Sequence, residues 1–169
     1  MTELRPAAAE AARNTPLRAV AVGCDHLGLE LKLVLMDHLA AVGVAVQDFG
    51  CHTSSEVDYP DIAAAVARAV AAGDFDRAIL VCGTGLGMAI TANKVPGVRA
   101  APVTDVYSAE RARKSNDAQV LCLGALVVGA GLATSLVDHW LESEFSGGRS
   151  AGKVAKINAV ERAALEGTP

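Results

Sequence analysis

The chain is poor in aromatic residues: its 169 positions hold one Trp, two Tyr and three Phe, 4% in all. Yet 51% of it is hydrophobic, so an interior has to be assembled from Ala, Val, Leu and Ile. Such residues, with 16 glycines, suit helices packed on a parallel sheet better than an aromatic-rich sandwich. A basic excess is also missing. The net charge of −4 argues against a nucleic-acid partner, because phosphate backbones require a basic face. A small anion is still allowed, since a few local cations and backbone amides suffice to hold one.

Metal-ligand spacing is absent as well. Cys24, Cys51, Cys82 and Cys122 form no CxxC pair, and His26, His38, His52 and His139 complete no zinc-like set around them. With no apolar leader, the four are expected as reduced thiols in a cytoplasmic protein. Residues 1–16, Ala-rich with scattered charges, read as a disordered or frayed lead-in to a single domain over residues 17–166. One uncharged stretch, residues 118–137, is long enough to cross a bilayer. Gly124, Gly129 and Gly131 interrupt it, and Asn116, Asp117 and Asp138 flank it without a basic anchor. A strand, a turn and a helix account for the same residues, so no membrane span is expected.

What the sequence does contain is alternation. Short apolar runs at residues 17–23, 44–49, 77–81, 98–103 and 119–123 read as five strands. Helical periods fall at residues 29–41, 61–72, 86–94, 108–114, 132–141 and 151–164. The first helix is expected to bury Leu29, Leu33, Met36, Leu39 and Ala40. Repeated β-α units predict an α/β fold, a three-layer αβα (Rossmann-like) sandwich around a five-stranded parallel sheet. Ligands of such folds sit beyond the carboxyl ends of the strands. That rule selects the segments after residues 23, 81, 103 and 123.

The second of these is the most informative. Cys82 closes a strand and is followed by Gly83, Thr84, Gly85, Leu86 and Gly87, then a helix start. Glycines let backbone N–H groups converge on an anion. A dinucleotide fingerprint needs G-x-G-x-x-G, but the sixth position counted from Gly83 is Met88, and the loop follows the third strand rather than the first. Cys82 also admits a purely structural role, as buried thiols usually do. At a helix N-terminus, however, a thiolate is stabilised, and a base beside N–H donors is what enolisation requires. Neither metal nor nucleotide is called for, so no cofactor is expected. Cys24 occupies a similar strand end without the glycines and is the second candidate.

Several blocks together resemble the ribose-5-phosphate isomerase B family, which includes allose- and galactose-6-phosphate isomerases. They are Gly23-Cys-Asp-His26, Asp58-Tyr-Pro60, Cys82-Gly-Thr-Gly85, Ala92-Asn-Lys-Val-Pro-Gly97, Tyr107-Ser-Ala-Glu-Arg111, Asn116-Asp117 and Gly147-Gly-Arg149. They span nearly the whole chain. The resemblance implies a homodimer or dimer of dimers with active sites at the subunit interface. It implies Cys82 as the proton-transfer base and the amides of Gly83 to Gly87 as the hole for an enediolate oxygen. Asp25, His26 and Tyr59 would line the sugar or phosphate end, Thr84 would contact the reacting oxygens, and Asn116 the substrate hydroxyls. Arg149 and Lys153 would bind phosphate, reaching into the neighbouring subunit's site. Their i, i+4 spacing would put both cations on one helical face; an exposed basic helix end is the plain alternative.

The departures from the family pattern bear on the substrate. Its pentose enzymes carry His where this chain has Ser115, and that His is assigned to opening the furanose ring. They also carry His at the place of Ser150 and Arg at the place of Leu126. A tetrose 4-phosphate has its O4 esterified and needs no ring opening. The segments Gly148-Arg-Ser-Ala-Gly152 and Lys114-Ser-Asn116 resemble the erythrulose-4-phosphate isomerase branch. The expectation is therefore the erythrulose 4-phosphate and erythrose 4-phosphate pair, with ribose 5-phosphate and ribulose 5-phosphate as runner-up. A non-catalytic sugar-phosphate-binding module is the reading from a different class.

Overall fold

The structure, a computed structural model, describes residues 19–167; the expected lead-in over residues 1–16 lies outside them. Three charge-free runs make strands buried at every position: β1 (Val20–Cys24), β3 (Ala78–Cys82) and β5 (Val120–Gly124). Strands covered on both faces belong at the centre of a parallel sheet. They are flanked by the short edge strands β2 (Val46–Asp48) and β4 (Ala100–Pro102), in the order β2-β1-β3-β5-β4. Every pairing is parallel.

Alternate strand residues divide the core in two. Ile79, Val81, Leu121 and Leu123 face one layer, made of α1 (Leu29–Ala41), α4 (Val106–Lys114) and α5 (Ala130–Leu141). Leu80, Cys82, Val120 and Cys122 face the other, made of α2 (Tyr59–Ala71) and α3 (Leu86–Ala92). This is the expected three-layer αβα arrangement. The uncharged stretch over residues 118–137 is β5, a turn and the start of α5, and no helix among the described residues is long and apolar enough to cross a membrane. A last helix, α6 (Ala151–Leu165), buries only Val154.

Element ends differ from the expected ones for local reasons. Helix α2 starts at Tyr59 because Pro60 is harmless in a first turn, where its missing N–H has no partner to lose. Helix α4 starts at Val106 because the Asp105 carboxylate accepts the Ser108 N–H and caps the turn.

The buried face of α1 is a correction. It carries Leu31, Lys32, Leu35 and Leu39, whereas Leu33 and Ala40, expected inside, are exposed, Leu33 by about half. The run Leu-Glu-Leu-Lys-Leu-Val-Leu-Met places leucine at alternate positions, so several helical stripes fit it equally well. The choice is made by Lys32. Its fully buried ammonium donates to both Asp48 oxygens and to the Cys51 carbonyl, each at 2.7 Å. Burial works against the Asp48 charge, but hydrogen bonds from Lys32 and the Gly50 N–H hold this carboxyl below its ordinary value.

A second buried cation closes the opposite end of the sheet. Arg77 donates to the Trp140 and Ser143 carbonyls at the end of α5 and to Glu144, and lies 5.0 Å over the Trp140 ring. It thereby adds a donor to the Trp140 carbonyl, which also accepts the Ser143 N–H, and gives one to the Ser143 carbonyl just past the helix terminus. Burial, assisted by Arg113 and opposed by Glu144, lowers its pKa to about 10, so it is charged at neutral pH.

The face of α1 can be tested directly. Leu35→Ala should destabilise the protein by about 3 kcal/mol, the cost of emptying a core position. Leu33→Ala should stay within about 0.5 kcal/mol, as exposed substitutions do. Urea unfolding of the two variants compares them, and equal losses would return Leu33 to the core.

Candidate active site

The carboxyl edge of the sheet is where β3 runs into its glycine loop. Cys82 pairs in register with Gly124, so the loop after Cys82 crosses the end of β5. The Cys82 carbonyl accepts the Ala125 N–H at 2.8 Å and the Gly83 carbonyl accepts the Leu126 N–H at 3.0 Å. The two backbones touch: a Cβ on Gly124 would sit 2.6 Å from the Thr84 carbonyl carbon. Gly85 adopts φ +78, a left-handed conformation that favours glycine, and this turns its N–H onto the Cys82 sulfur at 3.1 Å. The sulfur is thus held as an acceptor at the mouth of the loop, in a residue that is 4% exposed. The Thr84 hydroxyl accepts the Leu86 N–H at 3.4 Å, while the N–H groups of Gly83 and Thr84 have no acceptor among the described residues. Helix α3 is only seven residues long and ends at Ala92, short of the expected position 94. The direct N–H to the sulfur, more than a macrodipole, therefore defines the cysteine's environment.

The neighbouring strand end supplies Asp25 and His26. Asp25 is buried and its Oδ1 accepts the Gly28 N–H at 3.0 Å, fixing the short turn His26–Gly28. His26 Nδ1 is buried without a hydrogen-bond partner among the described residues. Tyr59, at the start of α2, lays its ring on Gly87, where a Cβ would stand 2.5 Å away. Leu86 is exposed, as are Leu27 and Leu126 beside Gly83.

The second cysteine candidate has a different environment. Cys24 faces the α1 and α5 layer, whereas Cys82 faces α2 and α3. Its thiol lies fully buried, 3.8 Å from that of Cys51, and burial, partly offset by Lys32, pushes its pKa up to about 12. These are the surroundings of a structural thiol. Among the described residues no three His, Cys, Asp or Glu side chains gather as a metal site would need.

Ser115, Asn116, Arg149 and Lys153 come together elsewhere. They line a groove of about 670 Å³ between α4 and the segment leading into α6. Arg149 stands in the short turn Gly148–Ser150 ahead of α6 rather than on the helix, so the shared helical face expected of it and Lys153 gives way to a shared groove. Asp117 takes φ 51, unusual for a side-chain-bearing residue, and is held by Arg99 at 2.9 Å and by Arg113. Those two arginines, which the sequence did not single out, fix the corner that presents Asn116. The only signal for Arg113 was the density of charge around residues 110–117, and Arg99, standing apart in an apolar run, had none.

Within one chain these two groups do not meet. Cys82 ends β3, while Asn116 precedes the start of β5, which runs parallel to it. A five-residue strand spans roughly 15 Å, so the groups lie toward opposite edges of the sheet. At the carboxyl edge stand a thiol acceptor, unclaimed amides and a carboxylate. Across the molecule stands an anion-receptive groove. A thiol beside unclaimed amides and a separate cationic groove are what a proton transfer on an anionic substrate would use.

Comparison with known proteins agrees with that class. A model of the ribose/galactose isomerase family matches residues 20–157. A protein named ribose-5-P isomerase B from Listeria innocua is 53% identical over 143 residues, 85% of this chain and 97% of that one. A protein named D-erythrulose-4-phosphate isomerase from Pectobacterium atrosepticum is 48% identical over 144 residues, 85% of this chain and 95% of that one. The solved structure of ribose-5-phosphate isomerase B from Clostridium thermocellum superposes with a TM-score of 0.84 at 50% identity, covering 85% of this chain and 97% of that one. The chain belongs to the ribose/galactose isomerase family and is an isomerase.

The backbone contact at the loop has a testable consequence. Gly124→Ala would force the Thr84 and Gly85 peptides away from β5, since neither side of that contact is a flexible side chain. Isomerase turnover should fall by at least about tenfold, with the loss on kcat, because a misplacement near 1 Å at a reacting centre is enough to do so. Steady-state kinetics with a circular-dichroism check on folding measures it; unchanged kcat would mean that the loop is not held there.

Proposed function

We propose that this isomerase interconverts an aldose phosphate and its ketose by moving a proton between C1 and C2, with Cys82 as the base. The observation that carries the reading is the Gly85 N–H aimed at the Cys82 sulfur inside a loop with unclaimed amides. In the open-chain aldose, the Cys82 thiolate takes the proton from C2. The released electron pair forms the C1–C2 double bond, and the C1 oxygen becomes an oxyanion held by the unclaimed amides of the Gly83 to Gly87 loop, those of Gly83 and Thr84 first. Return of the proton to C1, with the O2 hydroxyl proton passing to the other oxygen, gives the ketose. Thr84 and Asp25 are the neighbours suited to that oxygen-to-oxygen transfer. His26, Tyr59, Leu86 and Asn116 line the sugar, and Arg149 and Lys153 hold the phosphate.

That assignment needs the two edges of the sheet in one site, which a single chain does not achieve. A second copy, in a homodimer or dimer of dimers, would bring its Ser115, Asn116, Arg149 and Lys153 over the first chain's Cys82. The exposed Leu27, Leu86 and Leu126 around the loop supply apolar surface for such a neighbour to cover. Cys82→Ala should fold normally and lose about 10²–10⁴ of turnover. Mixed with an Arg149→Ala variant, it should regain part of the activity through heterodimers holding one intact site. Retained activity in Cys82→Ala would sink the base and pass the role to Cys24, a wild type without turnover would favour a binding module, and absence of recovery on mixing would sink the shared site.

For the substrate, Ser115 favours the erythrulose 4-phosphate and erythrose 4-phosphate pair. A serine there offers no acid–base group for opening a furanose, and a tetrose 4-phosphate has no furanose to open. Ribose 5-phosphate is the second reading, supported by the similarity to the Listeria protein named for it. A closed ring presents no carbonyl, so a pentose substrate would be penalised by its scarce open fraction. The wild type should therefore prefer the tetrose pair in kcat/KM. Ser115→His should raise activity on ribose 5-phosphate more than on erythrose 4-phosphate. A wild-type preference for ribose 5-phosphate that the histidine leaves unchanged would overturn the tetrose reading.

A further inference from the structure

The groove that holds Arg149 and Lys153 contains a third cation, Arg111, to which the reaction described above gives no task. Tyr107, Arg111 and Ser115 follow one another at four-residue steps, the first two on α4 and Ser115 at its end, and together they form one wall of the groove. Arg149, Ser150 and Lys153 form the other. None of the lining residues is an Asp or Glu, in a chain whose net charge is −4. Three like charges around one cavity repel each other in the empty groove, and an anion between them relieves that repulsion.

Arg111 itself is incompletely used. Its Nε is buried and has no hydrogen-bond partner among the described residues. Its Nη2 lies 3.5 Å from Glu110 Oε2, but that oxygen is held at 2.9 Å by Lys114. The guanidinium carbon stands 5.7 Å from the centroid of the Tyr107 ring. Contact with the ring restricts the plane of the fork without occupying its donors. A guanidinium with a fixed plane and free N–H groups matches the oxygens of a phosphate two at a time, which a lysine does not.

We propose that Arg111 is a phosphate-positioning residue: its fork takes two oxygens of the substrate phosphate and sets its orientation, while Arg149 and Lys153 supply charge. This rests on the phosphate reading of Arg149 and Lys153. A tethered phosphate fixes where C1 and C2 fall relative to the base, so the residue acts through substrate placement and not on the reacting atoms.

Two measurements on the full-length protein test it. Inorganic phosphate binding by titration calorimetry reads the groove without any turnover, and steady-state kinetics with erythrose 4-phosphate and ribose 5-phosphate read the substrate. In Arg111→Ala, phosphate should bind about tenfold more weakly and KM should rise by a similar factor, as loss of a bidentate charged pair implies. Kcat should change far less. Arg111→Lys should recover only part of the phosphate affinity, since it restores charge without the fork. Arg111→Gln, which keeps most of the stem, covers the case in which the alanine variant folds poorly. Phosphate affinity and KM equal to wild type in a folded Arg111 variant would overturn the proposal and leave the isomerase reading untouched. Phosphate binding that depends on Arg111, in a wild type that turns over no sugar phosphate, would instead uphold the proposal while the isomerase reading fails.

Discussion

The site at the carboxyl edge depends on one close approach between backbones, Gly124 on β5 against Thr84 in the loop after β3. The β3–β5 pairing puts Cys82 opposite Gly124, and without a side chain at that point the loop can lie down on the strand end. From this follow the paired hydrogen bonds of the Cys82 and Gly83 carbonyls, the left-handed turn at Gly85 and the N–H directed at the Cys82 sulfur. Contact between two backbones is stiff, since no rotamer change can relieve it. That stiffness is what the role proposed for these amides, pointing in advance at a developing oxyanion, would require.

Two buried cations hold the frame on which that loop rests. Lys32 ties α1 to the end of β2 and to the Cys51 carbonyl, directly behind the turn that presents Asp25. Arg77 ties the start of β3 to the end of α5. Lys32 has an oxygen for each of its three N–H donors and Arg77 donates to three oxygens, and such bonding is the condition under which a buried ion is tolerated. Neither touches the candidate site. They fix the strands between which its residues stand.

The division of chemistry between the two edges of the sheet sets the demands on assembly. The thiol and its amides stand at one edge, the cationic groove and Asn116 toward the other, and the sheet lies between them. Folding alone cannot close this gap, because the strands that separate the two groups are the core itself. If both act on one substrate, the union has to come from a second chain.

The sequence by itself determined the order of β-α units, the parallel sheet and the identity of the cysteine loop. These are carried by local signals: short apolar runs without charge, as central strands require, and glycines spaced so that only a tight loop fits. It also carried the Asn116, Arg149 and Lys153 blocks, with their expected reach into a neighbouring subunit's site, through resemblance alone; where they stand within the chain's own fold was not legible. Tertiary structure decided the rest. The buried stripe of α1 was open in the sequence because leucines at alternate positions satisfy several helical faces, and Lys32 selected one by finding Asp48. Cys24 and Cys82 look alike as strand ends, yet the pleat sends their side chains to opposite faces of the sheet, one into a sealed layer and one to the mouth of the glycine loop. Arg111 reads as one charge among many in residues 110–117, and only the fold sets it across a groove from Arg149 and Lys153. Local periodicity records which residues avoid water, whereas which residues meet across a sheet depends on register and on which layer each helix joins.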